Sequence, residues 1–205
     1  LLHKFSEIKY LELENGVFST AKFRTIIEAF LSLEELILSD LKFEVLNLCN
    51  VENLKNLSNL KSIKINAIHE ELVHPLLVQC SNLKRLSIKN LSRKAPIDEI
   101  LKLLSDKVQF ELEEFEFSDY GYYNFCQQKL GLLSFLERSF KTLKVLVFDV
   151  WLGILPLKLV FQMPHLEKLR LYEIAHADRT IAWDEIEIPK NHTLKCLSIQ
   201  DYSHN

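Results

Sequence analysis

The sequence predicts an α/β fold: a curved parallel sheet on the concave side of a solenoid, helices and irregular turns on the convex side, about eight repeats in all. Three observations predict it. The spacing apolar-x-x-apolar-x-apolar recurs eight times in 205 residues, its first residues 23 to 31 apart. Within each copy the last two apolar residues stand two apart, the side-chain period of a strand. Between copies lie stretches with apolar residues at three-to-four spacing, the period of an amphipathic helix. Strand then helix, repeated in one direction, gives parallel neighbours with the helices on one side.

The units follow in order. Ile8-Leu11-Leu13 and Leu33-Leu36-Leu38 open the series. Leu60-Ile63-Ile65 precedes "AIHEELVHPLLVQC" (67–80), a helical stretch. Leu83-Leu86-Ile88 precedes "APIDEILKLLSDKV" (95–108), where Pro96 and Asp98 suit a first helical turn. Leu112-Phe115-Phe117 precedes "NFCQQKLGLLSFLERSF" (124–140), which repeats the theme. Leu143-Leu146-Phe148 leads into "WLGILPLKLVF" (151–161), the most apolar run, interrupted by Pro156 and Lys158. Leu166-Leu169-Leu171 and Leu194-Leu197-Ile199 flank the least regular crossover, which holds Trp183. One strand–helix unit cannot bury both its apolar faces, and stacking makes one continuous core. Eight strands at their usual spacing span roughly 35–40 Å.

The pattern resembles the leucine-rich repeat superfamily over essentially the whole chain. More narrowly it resembles the repeat region of F-box leucine-rich-repeat proteins, whose strands often follow a C-P-x-L lead-in. "CSNL" (80–83) and "MPHL" (163–166) are similar to that lead-in, and "FLSL" (30–33) and "FKTL" (140–143) are looser versions. Many such repeats carry Asn or Cys three residues after the last strand leucine. Here those positions hold Gly16, Leu41, Ile68, Leu91, Tyr120, Trp151, Ile174 and Tyr202. Asn15, Asp40, Asn90, Asp119 and Asp201 lie one residue earlier, where side-chain bonds to the local backbone would close the turn. The resemblance implies the substrate-recognition region of a ubiquitin-ligase subunit, with targets delivered for ubiquitin-dependent degradation. A Skp-type adaptor and a cullin ligase would then join through an F-box outside this segment.

Composition narrows the alternatives. Net charge is −3, whereas a domain that neutralises phosphates is usually basic, so nucleic acid is not the expected partner. Four glycines are few for phosphate-cradling loops. P-loop, dinucleotide and Gly-x-Ser-x-Gly fingerprints are lacking, so neither an enzyme nor a cofactor is expected. "HEELVH" sets His69 and His74 five apart, about 140° around a helix, which cannot share a metal as an i, i+4 pair does. Cys49, Cys80, Cys126 and Cys196 form no close pairs and read as reduced, mostly buried residues of a cytoplasmic or nuclear protein. No apolar run reaches the roughly 20 residues of a membrane span. Asn56, Asn90 and Asn191 head N-x-S/T sequons, a weak pointer to the alternative, an extracellular or receptor-type recognition domain. The 205 residues read as a single leucine-rich-repeat domain, expected to be a fragment of a longer chain because neither end shows a polar capping repeat.

With the strand leucines inward, the intervening residues form the concave face. A protein substrate or peptide segment is expected to bind there across units 4 to 7. The residues are Arg85 and Lys89, then Glu114 and Glu116, then Val145, Val147 and Asp149, then Lys168, Arg170 and Tyr172. Arg and Tyr are favoured in binding hot spots, and the two valines would supply an apolar patch. Glu111, Glu113 and Glu114 at a strand lead-in read as a solvated face. Trp151 at its turn position is expected in the core.

Overall fold

The computed structural model describes residues 7–44, 47–48, 51, 53–90, 97–106, 111–118, 130–149, 154–173, 187 and 189–201. The expectations for Trp151, Trp183, Cys49, Cys126 and the turn positions Leu91, Asp119, Tyr120, Ile174 and Tyr202 lie outside these residues.

The elements in chain order begin with β1 (Tyr10–Glu14), β2 (Val17–Phe18), α1 (Thr20–Ala29), β3 (Glu35–Ser39) and β4 (Lys42–Phe43). A 3-10 turn (Lys55–Asn59), β5 (Ser62–Asn66), α2 (Glu70–Leu77), β6 (Arg85–Lys89) and α3 (Ile97–Asp106) follow. The rest are β7 (Glu114–Ser118), α4 (Leu130–Ser139), β8 (Val145–Asp149), α5 (Ile154–Phe161), β9 (Lys168–Glu173) and β10 (Cys196–Asp201). Eight strands form one sheet in the order β1-β3-β5-β6-β7-β8-β9-β10, every pair parallel. The register follows the sequence repeat throughout: Leu11, Leu36, Ile63, Leu86, Phe115, Leu146, Leu169 and Leu197 are lateral partners. β2 and β4 pair in a small second parallel sheet, which the strand period alone did not announce.

Helices form where the apolar residues recur on one face. In α1, Phe23 and Ile27 are buried one turn apart, and Ser19 caps the start by accepting from the Lys22 N–H at 3.3 Å. Buried faces continue with Leu72, Val73 and Leu76 in α2, Leu101 and Leu104 in α3, Leu132, Phe135 and Leu136 in α4, and Leu157 and Val160 in α5. α5 lies within the run that Pro156 seemed to break: Pro156 is the third helical residue, where its missing N–H has no helical partner to lose. The second unit crosses over through the 3-10 turn instead of an α-helix.

Inward strand residues and helix faces share one buried cluster. Leu36, Leu146 and Leu169 are fully buried and Leu86 is 2% exposed. Each such side chain stabilises the fold by about 1.5–3 kcal/mol. The lead-in residues belong to the same core: Leu57, Cys80 and Met163 stand under the turn that enters each strand. In the middle units Phe115, Phe117, Phe135 and Phe148 make an aromatic knot, with Phe115 and Phe135 centroids 4.6 Å apart. The last strand departs from the pattern, because Leu197 and Ile199 are exposed. Among the described residues no helix is long and apolar enough to cross a membrane.

Candidate functional site

Strand alternation turns every second residue of the eight strands away from the buried cluster. The register then lines these residues up in rows across the sheet. The central row runs Glu12, Ile37, Lys64, Ser87, Glu116, Val147, Arg170, Ser198. Arg85, Glu114, Val145 and Lys168 are successive members of the row toward the strand starts. Lys89, Ser118 and Asp149 belong to the row toward the strand ends, as does Tyr172, beside Gln200. Eight of the ten residues read from the sequence are therefore on one face of the sheet. The side chains of Asp149 and Tyr172 lie outside the described residues.

The charges on this face are largely spent on each other. Lys89 Nζ lies 2.8 Å from Glu116 Oε1, and Ser87 Oγ donates to Glu116 Oε2 at 2.8 Å. Burial pushes the Glu116 carboxyl up, but those two hydrogen bonds and the charges of Lys89 and Arg170 outweigh it and hold the group below its ordinary value. A second node is Glu35, with Lys64 Nζ at 3.4 Å and Arg85 Nη2 at 3.8 Å. The blocks of charge in the sequence thus resolve into cross-strand pairs.

The apolar patch is smaller than the sequence implied. Val147 is only 8% exposed, although it faces away from the core cluster. Its row neighbours are Glu116 and Arg170. Val145 stays half-buried, between exposed Glu114 and half-buried Lys168. Among the described side chains of the ten, Arg85 and Glu114 are exposed.

A stronger charge pattern runs along the strand-entry side. The residue after the first apolar position of each unit is charged in all eight: Lys9, Glu34, Lys61, Lys84, Glu113, Lys144, Glu167, Lys195. Glu34 sits between Lys9 at 2.9 Å and Lys61 at 2.7 Å, which lowers its pKa to about 2. Glu113 lies 2.7 Å from Lys144 and 3.7 Å from Lys84, and Glu167 lies 2.9 Å from Lys195. Beneath these side chains the first seven carbonyls each accept two N–H groups of the next unit. The Lys61 carbonyl, for instance, takes those of Lys84 and Arg85, both at 2.9 Å. This ladder was legible as an unbroken column of Lys and Glu. It escapes a count of outward strand residues because it stands one position before them.

The strand-exit side is built by backbone conformation. Asn15, Asp40, Ala67 and Asn90 occupy equivalent positions with φ of 48° to 52°. Each donates its N–H to the last carbonyl of the next strand at 3.0–3.1 Å. Asn and Asp tolerate left-handed backbone better than other side chains, which explains their recurrence there. The expected bonding to the local backbone takes another form: Asn90 Nδ2 donates to Asn66 Oδ1 at 2.8 Å, and Asn66 Nδ2 to Ser39 Oγ at 2.9 Å.

The remaining sequence candidates resolve as follows. The Asn56 amide donates to the carbonyls of Ile27 and Glu28, and the Asn191 amide to those of Phe161 and Met163. All three sequon amides are thus bonded within the chain. Cys80 is buried as expected, and burial pushes its thiol up to about 12. Cys196 is exposed, contrary to the buried reading, because it partners Lys168 in the outward row toward the strand starts. His69 and His74 are both exposed. No group of three His, Cys, Asp or Glu residues suited to a metal occurs among the described residues. Two shallow concavities of about 330 and 230 Å³ lie on the strand-entry side, away from the sheet face.

The chain matches no protein-family model and no curated protein.

Proposed function

We propose that the chain is a leucine-rich-repeat solenoid and a non-catalytic protein-interaction scaffold, its sheet face concave and open to an extended protein segment. The observation that carries this reading is the agreement of the repeat with the strand register over all eight strands, which lays the outward residues in straight rows. Such rows suit an extended peptide lying across the strands. The accessible groups around Val145, namely Glu114 and Lys168, favour a segment that places an apolar side chain between charges of both signs. Arg170 and Tyr172 serve as anchors in this reading.

By family resemblance we infer a cytoplasmic or nuclear role as the substrate-recognition region of an F-box type ubiquitin-ligase subunit. The alternative is an extracellular or receptor-type recognition domain. The bonded amides of Asn56 and Asn191 favour the first reading, since a glycan on either nitrogen would displace at least one of the two carbonyls it donates to.

Precipitation of the natural full-length protein from cells is expected to bring down a Skp-type adaptor and a cullin. Glycans on the three sequons, with no adaptor, would support the alternative. Arg170→Ala with Tyr172→Ala should weaken a captured partner by more than about 2 kcal/mol. Lys102→Ala, at an exposed position on α3, should not. Equal losses from both would count against the sheet face as the site.

A further inference from the structure

Asn15 is followed by Gly16, and no other asparagine of the 205 residues precedes a glycine. The side-chain carbonyl carbon of an asparagine can be attacked by the next backbone nitrogen, and the five-membered ring closes most readily where that next residue has no Cβ to crowd it. Asn15 follows β1 with φ of 52° and is exposed. Its equivalents Asp40 and Asn90 have a unit on each side and are exposed too, so the exposure belongs to the exit turn itself, whatever precedes the first unit.

Elsewhere the amides are engaged. Asn56, Asn59, Asn66, Asn82, Asn90 and Asn191 each donate the side-chain amide to another residue of the chain. Leucine, alanine or histidine follows each of them. The fold also holds both members of the reactive pair in place. A left-handed turn favours Asn over most side chains at position 15. A Cβ at position 16 would run into the Phe18 ring.

We propose that Asn15–Gly16 is a deamidation site whose two products the turn receives unequally. The Gly16 nitrogen attacks Asn15 Cγ. A C–N bond forms there, the side-chain amide C–N bond breaks, and ammonia leaves with the proton of the Gly16 N–H. Water then opens the succinimide. Cleavage at Cγ leaves aspartate. Cleavage at the main-chain carbonyl carbon leaves isoaspartate, with the chain running through the former side chain. Aspartate suits the site, because Asp40 holds the equivalent position at the same φ of 52°. Isoaspartate adds one carbon to the main chain between two fixed points. These are the Asn15 N–H on the Ser39 carbonyl at 3.1 Å and the Lys42 N–H on the Gly16 carbonyl at 2.9 Å. The longer chain loosens the β2–β4 pair, which begins with Val17 beside Lys42. Either product adds a negative charge next to Glu14.

The test is incubation of the folded chain at mildly alkaline pH, with peptides mapped by mass spectrometry over time. Asn15 is expected to convert at least about tenfold faster than any other asparagine. Hydroxylamine should cleave between positions 15 and 16 while the ring persists, and an isoaspartyl methyltransferase should label the same peptide. Freshly made Asn15→Asp should melt within about 1 °C of the wild type, and the isoaspartate form, separated by ion-exchange chromatography, about 2–4 °C lower. Conversion at Asn15 no faster than elsewhere would overturn the site. Aspartate with no isoaspartate would overturn the ring route. Equal melting of the two acid forms would overturn their unequal reception.

Discussion

Lys61 Nζ lies 2.7 Å from Glu34 Oε2, across the junction between neighbouring strands β3 and β5. With Lys9 on its other oxygen, Glu34 is held to a pKa of about 2, against an ordinary value of 4.5. A carboxyl depressed in the folded state stabilises the fold above its unfolded pKa, and that contribution fades as pH falls from about 4.5 toward about 2. Urea midpoints should drop over this window in the wild type. Glu34→Gln should flatten that part of the curve and leave a smaller loss between neutral and acid pH. Added salt should shrink the difference, since the side chains are solvent-accessible. Parallel curves for the two proteins would contradict the ladder's role.

Ala67 is the exception among the left-handed turn residues, with φ of 50° and no amide or carboxylate to favour it. Ala67→Asn is expected to raise stability by up to about 1 kcal/mol, part of the left-handed penalty for an ordinary side chain. Asn90→Ala should cost a similar amount. Denaturation midpoints check both, and a destabilising Ala67→Asn would refute the conformational explanation of the turn column.

Leu86 and Leu197 hold the same position in the repeat but are 2% and 49% exposed. Leu86→Ala should cost about 2–5 kcal/mol by lost burial and a residual cavity. Leu197→Ala should cost under about 1 kcal/mol. Similar losses in chemical denaturation would mean that the last strand is covered in solution.

Asn191 spends both ends of its amide. Nδ2 donates to the carbonyls of Phe161 and Met163, and Oδ1 accepts from the N–H groups of Thr193 and Leu194. Asn191→Ala leaves half-buried backbone groups unsatisfied and should cost about 1–3 kcal/mol. Asn191→Asp keeps the acceptor half and should cost less than Asn191→Ala. The order of the two melting temperatures is the measurement.

What the sequence made legible is the part fixed by local period. Leu36, Leu86 and Leu146 are buried members of one lateral row because their spacing specifies both face and register. Period says less about the crossovers: the 3-10 turn near Leu57 and the two-residue strands β2 and β4 are too short to show one. The same period lays out the outward rows, but not how far each of their members is buried. Val147 is buried between row neighbours, Glu116 and Arg170, that are distant in sequence. The exposure of Leu197 likewise depends on what lies beyond β10, which a repeat pattern cannot encode.

The strand order has a kinetic consequence. Every strand of the large sheet pairs with the strand of the next or the preceding unit, so no contact in the sheet waits for distant parts of the chain to meet. Loop-closure entropy is met in short instalments, which permits growth from an internal nucleus toward both ends. The aromatic knot of Phe115, Phe117, Phe135 and Phe148 joins two consecutive units and is the natural nucleus. Hydrogen exchange should then be slowest in β7 and β8 and quicken stepwise toward β1 and β10, a gradient of fraying written into the order of the strands.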